Sequence, residues 1–147
     1  FSEMLCYYRY NGTGILERLN ALYESFGYFT EKNISIAYEG ADAMGLMSDV
    51  MSRLRALSPK TLAGSGIDFT DDYLLRKRVY ASGETSDITL PKTDMLYYGL
   101  KGGGFVCVRP SGTEPKLKIY VSVSKPTKDE AEKYAEELLS AAKKYTD

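Results

Sequence analysis

The side chains best suited to chemistry crowd into one octapeptide, RPSGTEPK at residues 109–116, set between two apolar, strand-like runs, FVCV and LKIYVSVS. A hairpin needs little more than Asn-Gly or Gly-Gly to turn. An arginine, two hydroxyls, a glycine and a lysine are more than turning requires. Pro110 fixes its own φ and restricts Arg109 to an extended conformation. Gly112 has no Cβ, so the backbone there can turn sharply or approach a ligand closely. Successive N–H groups in such a turn can converge on an anion. Ser111 and Thr113 add hydroxyl donors, and Arg109 adds a planar fork matched to phosphate oxygens. Lys116 and Lys118 add charge, and strand alternation sends Lys118 to the face opposite Leu117. Residues 109–118 carry three basic residues and one acid, in a chain whose net charge is −1. A Ser-Gly turn with a solvated arginine has the same letters, and the residues alone leave both readings open.

Composition narrows the other chemistries. The 147 residues contain no histidine, so neither a Ser-His-Asp nor a Cys-His nucleophile can be assembled, nor a His-containing metal site. No closely spaced acidic residues resemble a metal loop, and neither a metal ligand nor a catalytic residue is expected in this chain. Nineteen basic and 20 acidic residues leave no field of one sign, unlike a general nucleic-acid binder. Cys6 and Cys107 lie far apart in apolar runs and read as buried thiols of a cytosolic protein rather than a disulfide framework. No apolar run approaches the ~20 residues that span a bilayer. The chain opens on Phe1 with no methionine before it, and is expected to be a piece of a longer protein.

The elements that must position the octapeptide follow from periodicity. FSEMLCYYRYNG reads as the tail of a helix stopped at Asn11-Gly12. GILERLNALYESFG places Ile15, Leu16, Leu19, Leu22, Tyr23 and Phe26 at helical spacing and ends on Gly27. NISIAYEG alternates Ile34, Ile36 and Tyr38 as a strand does. These opening elements are too few to bury their own apolar faces. Residues 1–38 are therefore assigned to the end of a preceding domain, and 39–147 to a second one.

GADAMGLMSDVMSRLRAL predicts a helix with Met47, Val50, Met51 and Leu54 as a core stripe, closed by Pro59. Strands are expected at 61–69, 74–81, 94–100, 104–109 and 117–124, with KGGG at 101–104 as a hairpin turn rather than a phosphate loop. Thr127 and Glu130 form a capping box that opens a last helix. Its apolar face carries Ala131, Tyr134, Ala135, Leu138, Leu139 and Ala142. Helix, strands, helix predicts an α+β domain: a single antiparallel sheet with two helices packed on one face.

FVCVRPSGTEPKLKIY resembles the signature of the C-terminal domain of the α-D-phosphohexomutases, the phosphoglucomutase and phosphomannomutase superfamily. LPKTDMLYYGLKGGG before it, the exit strand after it and the helix GADAMGLMSDVMSRLRALSP agree with that resemblance. The opening 38 residues resemble the end of the preceding sugar-binding domain. The resemblance implies a TBP-like fourth domain that holds the substrate's phosphate with Arg109, Ser111, Gly112 and Thr113, assisted by Lys118. Glu114 is then a loop-shaping residue that hydrogen-bonds nearby backbone. The family's phosphoserine loop, its DGDGDR-type magnesium loop and its GEESG-like sugar loop have no counterpart here. Magnesium and a sugar bisphosphate activator are therefore expected of the cytoplasmic parent and not of this chain. Its expected partners are a phosphorylated sugar and the other domains of the same chain, with no nucleic acid and no membrane. Phosphoglucomutase, phosphomannomutase and phosphopentomutase chemistry all remain open. So does a non-enzymatic α+β module that binds RNA or protein through some of the 13 tyrosines.

Overall fold

The computed structural model describes residues 1–146; Asp147, the last residue of the second expected domain, lies outside them. The elements run α1 (Ser2–Tyr10), α2 (Ile15–Phe26), β1 (Tyr28–Ala37), α3 (Ala43–Leu57), β2 (Thr61–Leu62), β3 (Ser65–Asp72), β4 (Lys77–Tyr80), β5 (Thr85–Asp87), β6 (Leu96–Leu100), β7 (Phe105–Pro110), β8 (Lys116–Lys125) and α4 (Lys128–Lys143). The strands form one antiparallel sheet in the order β1-β8-β7-β6-β3-β4-β5, with β2 paired to β3 off that path.

Alternation in β8 explains the layering. Leu117, Ile119, Val121 and Val123 are buried on one face, beside Val106 and Val108 of β7 and Leu96 and Tyr98 of β6. Met47, Val50, Met51 and Leu54 of α3 and Ala135, Leu138 and Ala142 of α4 cover that face and complete one core. Each fully buried side chain of this size contributes about 1.5–3 kcal/mol. The α+β architecture with two helices on one face is the one expected, and the methionine stripe is core. Among the described residues no helix packs on the opposite face.

Local signals end the elements where they should. Gly27 stops α2 with φ 90°, and Ser58, in the left-handed region at φ 39° just before Pro59, stops α3. Thr127 accepts from the Glu130 N–H to open α4, while the Glu130 carboxylate accepts from the Thr127 hydroxyl. KGGG is a hairpin turn: Leu100 N–H donates to the Gly104 carbonyl and Gly103 N–H to that of Leu100.

Three differences from the sequence reading matter. The strand expected at 61–69 is broken by Ala63 and Gly64, whose φ values of 46° and 79° fold β2 back on β3. The short, exposed β5 has no apolar alternation to announce it. Most important, β1 pairs along its whole length with β8, from Tyr28 opposite Lys125 to Ala37 opposite Lys116. The sheet thus begins at Tyr28, ahead of the boundary drawn at 38. Ahead of it, α1 and α2 bury no residue, and α2 meets the sheet through Tyr23 stacked on Tyr28 at 5.2 Å.

Candidate functional site

The octapeptide closes the β7–β8 hairpin. Arg109 and Pro110 finish β7, Ser111 to Pro115 make the turn, and Lys116 starts β8. Ser111 N–H donates to the Lys116 carbonyl at 2.7 Å, and Lys116 N–H to the Glu114 carbonyl at 2.7 Å. These bonds fold the turn back on itself. Among the described residues the next three N–H groups, of Gly112, Thr113 and Glu114, have no protein acceptor. The exit of the turn is tied down from β1, where Tyr38 N–H donates to the Pro115 carbonyl at 2.9 Å.

Gly112 does not take a positive φ, so the turn does not need glycine for its shape. Beyond its own chain neighbours, no atom lies within 4 Å of where a Cβ would stand. Of the two uses open to this glycine, the one available here is close approach of a ligand to bare backbone. Glu114 also differs from expectation. Its carboxylate accepts from the Lys116 ammonium at 3.0 Å rather than from backbone N–H, because the two side chains rise from the ends of one tight turn.

Lys116 is thereby partly neutralised, whereas Arg109 and Lys118 have no carboxylate partner among the described residues. The two are directly opposite each other across β7 and β8. Residues so placed have Cβ atoms about 4.5–5.5 Å apart on the same face. Lys118 alternates with the buried Leu117 and Ile119, so both cations lie on the helix-free face. Arg109 is exposed, and its guanidinium carbon stands 5.8 Å from the centre of the Tyr120 ring. The structure thus brings Arg109 and Lys118 together beside the turn, with Ser111, Gly112 and Thr113 forming its tip.

The rest of this face was not legible in the sequence. Phe69, Tyr97 and Phe105 stack across β3, β6 and β7, with centroids 6.0 and 4.8 Å apart. Gly99 makes room for the Phe69 ring: a Cβ there would lie 2.4 Å from it. The Arg78 guanidinium sits 3.9 Å above Phe69 and makes a fork to Asp71, at 2.6 and 2.8 Å. These rings are half-buried and stack on one another. Cys107, on the same face, is buried as expected, and burial pushes its thiol up to about 11, whereas Cys6, expected to be buried too, is exposed on α1. On the helix side, Arg55 links Asp72 and Asp94 and ties α3 to the sheet. Among the described residues, no three His, Cys, Asp or Glu side chains group to hold a metal ion, and no helix is long and apolar enough to cross a membrane.

Comparison with known proteins bears on this site directly. Residues 92–141 match the family model for the phosphoglucomutase/phosphomannomutase C-terminal domain. A phosphoglucomutase of Staphylococcus saprophyticus is 32% identical over 121 residues, which are 82% of this chain and 22% of that protein. One from Staphylococcus epidermidis is 33% identical over 116 residues, 77% of this chain and 21% of that protein. The open form of pp63/parafusin, a phosphoglucomutase from Paramecium, superposes with a TM-score of 0.48 at 12% identity, over 88% of this chain and 23% of that one. The chain spans about a fifth of the length of the curated relatives it matches. Residues 92–141, with the turn at 109–116 inside them, belong to the phosphoglucomutase/phosphomannomutase C-terminal domain family.

Proposed function

We propose that Arg109, Ser111, Gly112, Thr113 and Lys118 bind the phosphate group of a phosphorylated sugar. The chain is then the phosphate-gripping part of a cytoplasmic phosphohexomutase of phosphoglucomutase type, which interconverts sugar 1-phosphate and sugar 6-phosphate. One observation carries the reading: three consecutive N–H groups without acceptors lie beside two cations without carboxylates, over a glycine with open space above it. Each feature costs stability or is neutral for a plain turn, and together they suit an anion with several oxygens.

A mutase must accept its substrate in two orientations, with a different phosphate reacting in each. Whichever phosphate is not reacting needs a grip that does not read the sugar. The turn supplies donors for oxygen and charge and little else. Binding energy gained at that remote phosphate helps orient the reacting one. The phosphoryl chemistry, its magnesium, its sugar bisphosphate and the choice of sugar belong to the remainder of the parent, and none is assigned to residues here. We place the division between this unit and the preceding one near Gly27, where α2 ends and the sheet begins. Amide hydrogen exchange checks this: residues 2–26 should exchange faster than β8, and equal protection would move the division.

The test of the grip is an NMR titration of the chain with glucose 6-phosphate. Amides of residues 109–113 should shift, with a dissociation constant on the order of 1 mM, about −4 kcal/mol. Arg109→Ala should weaken binding by at least ~10-fold, since a charge-assisted contact contributes about 1.5–3 kcal/mol. Arg109→Lys should recover part of that, lacking the two-pronged geometry. Shifts confined to other residues, or a titration unchanged by Arg109→Ala, would remove the assignment.

A further inference from the structure

The cation row does not stop at Lys118. In β1, Ser35 is the register partner of Lys118, as Arg109 is in β7. Arg109, Lys118 and Ser35 therefore form one row across three adjacent strands, which lie about 4.8 Å apart. Ile34 and Ile36 pack against the core, so Ser35 and its alternate neighbours Asn33 and Ala37 lie on the helix-free face, all three exposed.

The side chains opposite them differ sharply in length. Tyr120, Lys118 and Lys116 of β8 face Asn33, Ser35 and Ala37 of β1. Long side chains on β8 thus border a low shelf of short ones on β1. The shelf adjoins the phosphate turn, because Tyr38, one residue beyond β1, is bonded to Pro115. An anion on this shelf has the Lys118 ammonium on one side and a hydroxyl on its floor. Among the described residues the Ser35 hydroxyl has no hydrogen-bond partner of its own.

We propose that Ser35 is a further phosphate-binding residue, donating its hydroxyl to a phosphate oxygen held by Lys118 and Arg109. This rests on the phosphate grip proposed above and extends it to β1, a strand remote in sequence from the turn. It gives β1 a part in the site as well as in the sheet. The ligand chemistry is a phosphate monoester or inorganic phosphate, and not the sugar ring.

The test uses the same chain, titrated separately with inorganic phosphate and with glucose 6-phosphate. The Ser35 amide should shift together with those of 109–113. Ser35→Ala should weaken both ligands about fivefold, the net scale of one ordinary hydrogen bond at an exposed position. Ser35→Thr should stay within about twofold of the parent, since it keeps the hydroxyl and suits a strand. Ser35→Asp puts a carboxylate opposite Lys118 and should weaken binding by more than ~10-fold. Ser122→Ala, on the same face but in the row of Glu31 and Phe105, should change nothing. If residues 109–113 never shift, the phosphate grip itself fails. If they shift normally while Ser35→Ala and Ser35→Asp leave both constants unchanged, the grip stands and Ser35 has no part in it. An effect of Ser35→Ala on the sugar phosphate alone would make Ser35 a sugar contact and overturn this assignment.

Discussion

The Asp71–Arg78 pair offers a sharp test of how the helix-free face is held, because its two partners differ in exposure. Asp71 is almost sealed, at 3% side-chain exposure, whereas Arg78 is 33% exposed. Register places them directly opposite each other on β3 and β4, joined by the two-pronged contact. Removing the arginine, as Arg78→Met, leaves a carboxylate in a dry place with no counterion. That change should cost about 3–4 kcal/mol, near the range for breaking a buried pair. Removing the carboxylate, as Asp71→Ala, leaves an arginine that can still turn to water and keep its place over Phe69. It should cost less, about 1.5–2.5 kcal/mol. The double variant should be no worse than Arg78→Met alone, since the stranded charge is gone. Urea unfolding of the four proteins at pH 7, with a common m-value, measures this cycle. The reasoning fails if Asp71→Ala is the costlier single change, or if the two costs simply add.

Two further outcomes follow from local geometry and burial. Gly104→Ala should destabilise by about 2–3 kcal/mol, combining backbone strain with overpacking, because its Cβ would lie 2.5 Å from the Ser122 carbonyl at φ 87°. Gly102→Ala, at φ 85° with open space around it, should cost only about 1 kcal/mol, and thermal midpoints that place the two variants level would contradict this. Iodoacetamide at pH 8 should label the exposed Cys6 and spare Cys107 until urea is added, as mass mapping would report. Because burial raises the Cys107 thiol to about 11, its neutral form is favoured by folding. That contribution is complete below the ordinary thiol range and is lost as pH rises toward 11.

The features that could be read from the sequence are those whose cause is local. Thr127 and Glu130 cap α4 from three residues apart, and the Leu117, Ile119, Val121 and Val123 alternation declares which face of β8 is buried. The octapeptide could be singled out because its residue types exceed what a turn needs. Its proximity along the chain also ensures that Arg109 and Lys118 end as register partners. What the sequence could not decide was membership. Ile34, Ile36 and Tyr38 announce a strand but not its partner, and that partner, β8, begins 79 residues after β1 ends, at Lys116 against Ala37. Periodicity is a property of a dozen residues, whereas strand pairing is settled by which edge remains open once the helices cover the core. Only the tertiary structure therefore puts β1 beside the 109–116 turn, sets Ser35 in the row of Lys118, and brings Arg78 onto Asp71 and Phe69.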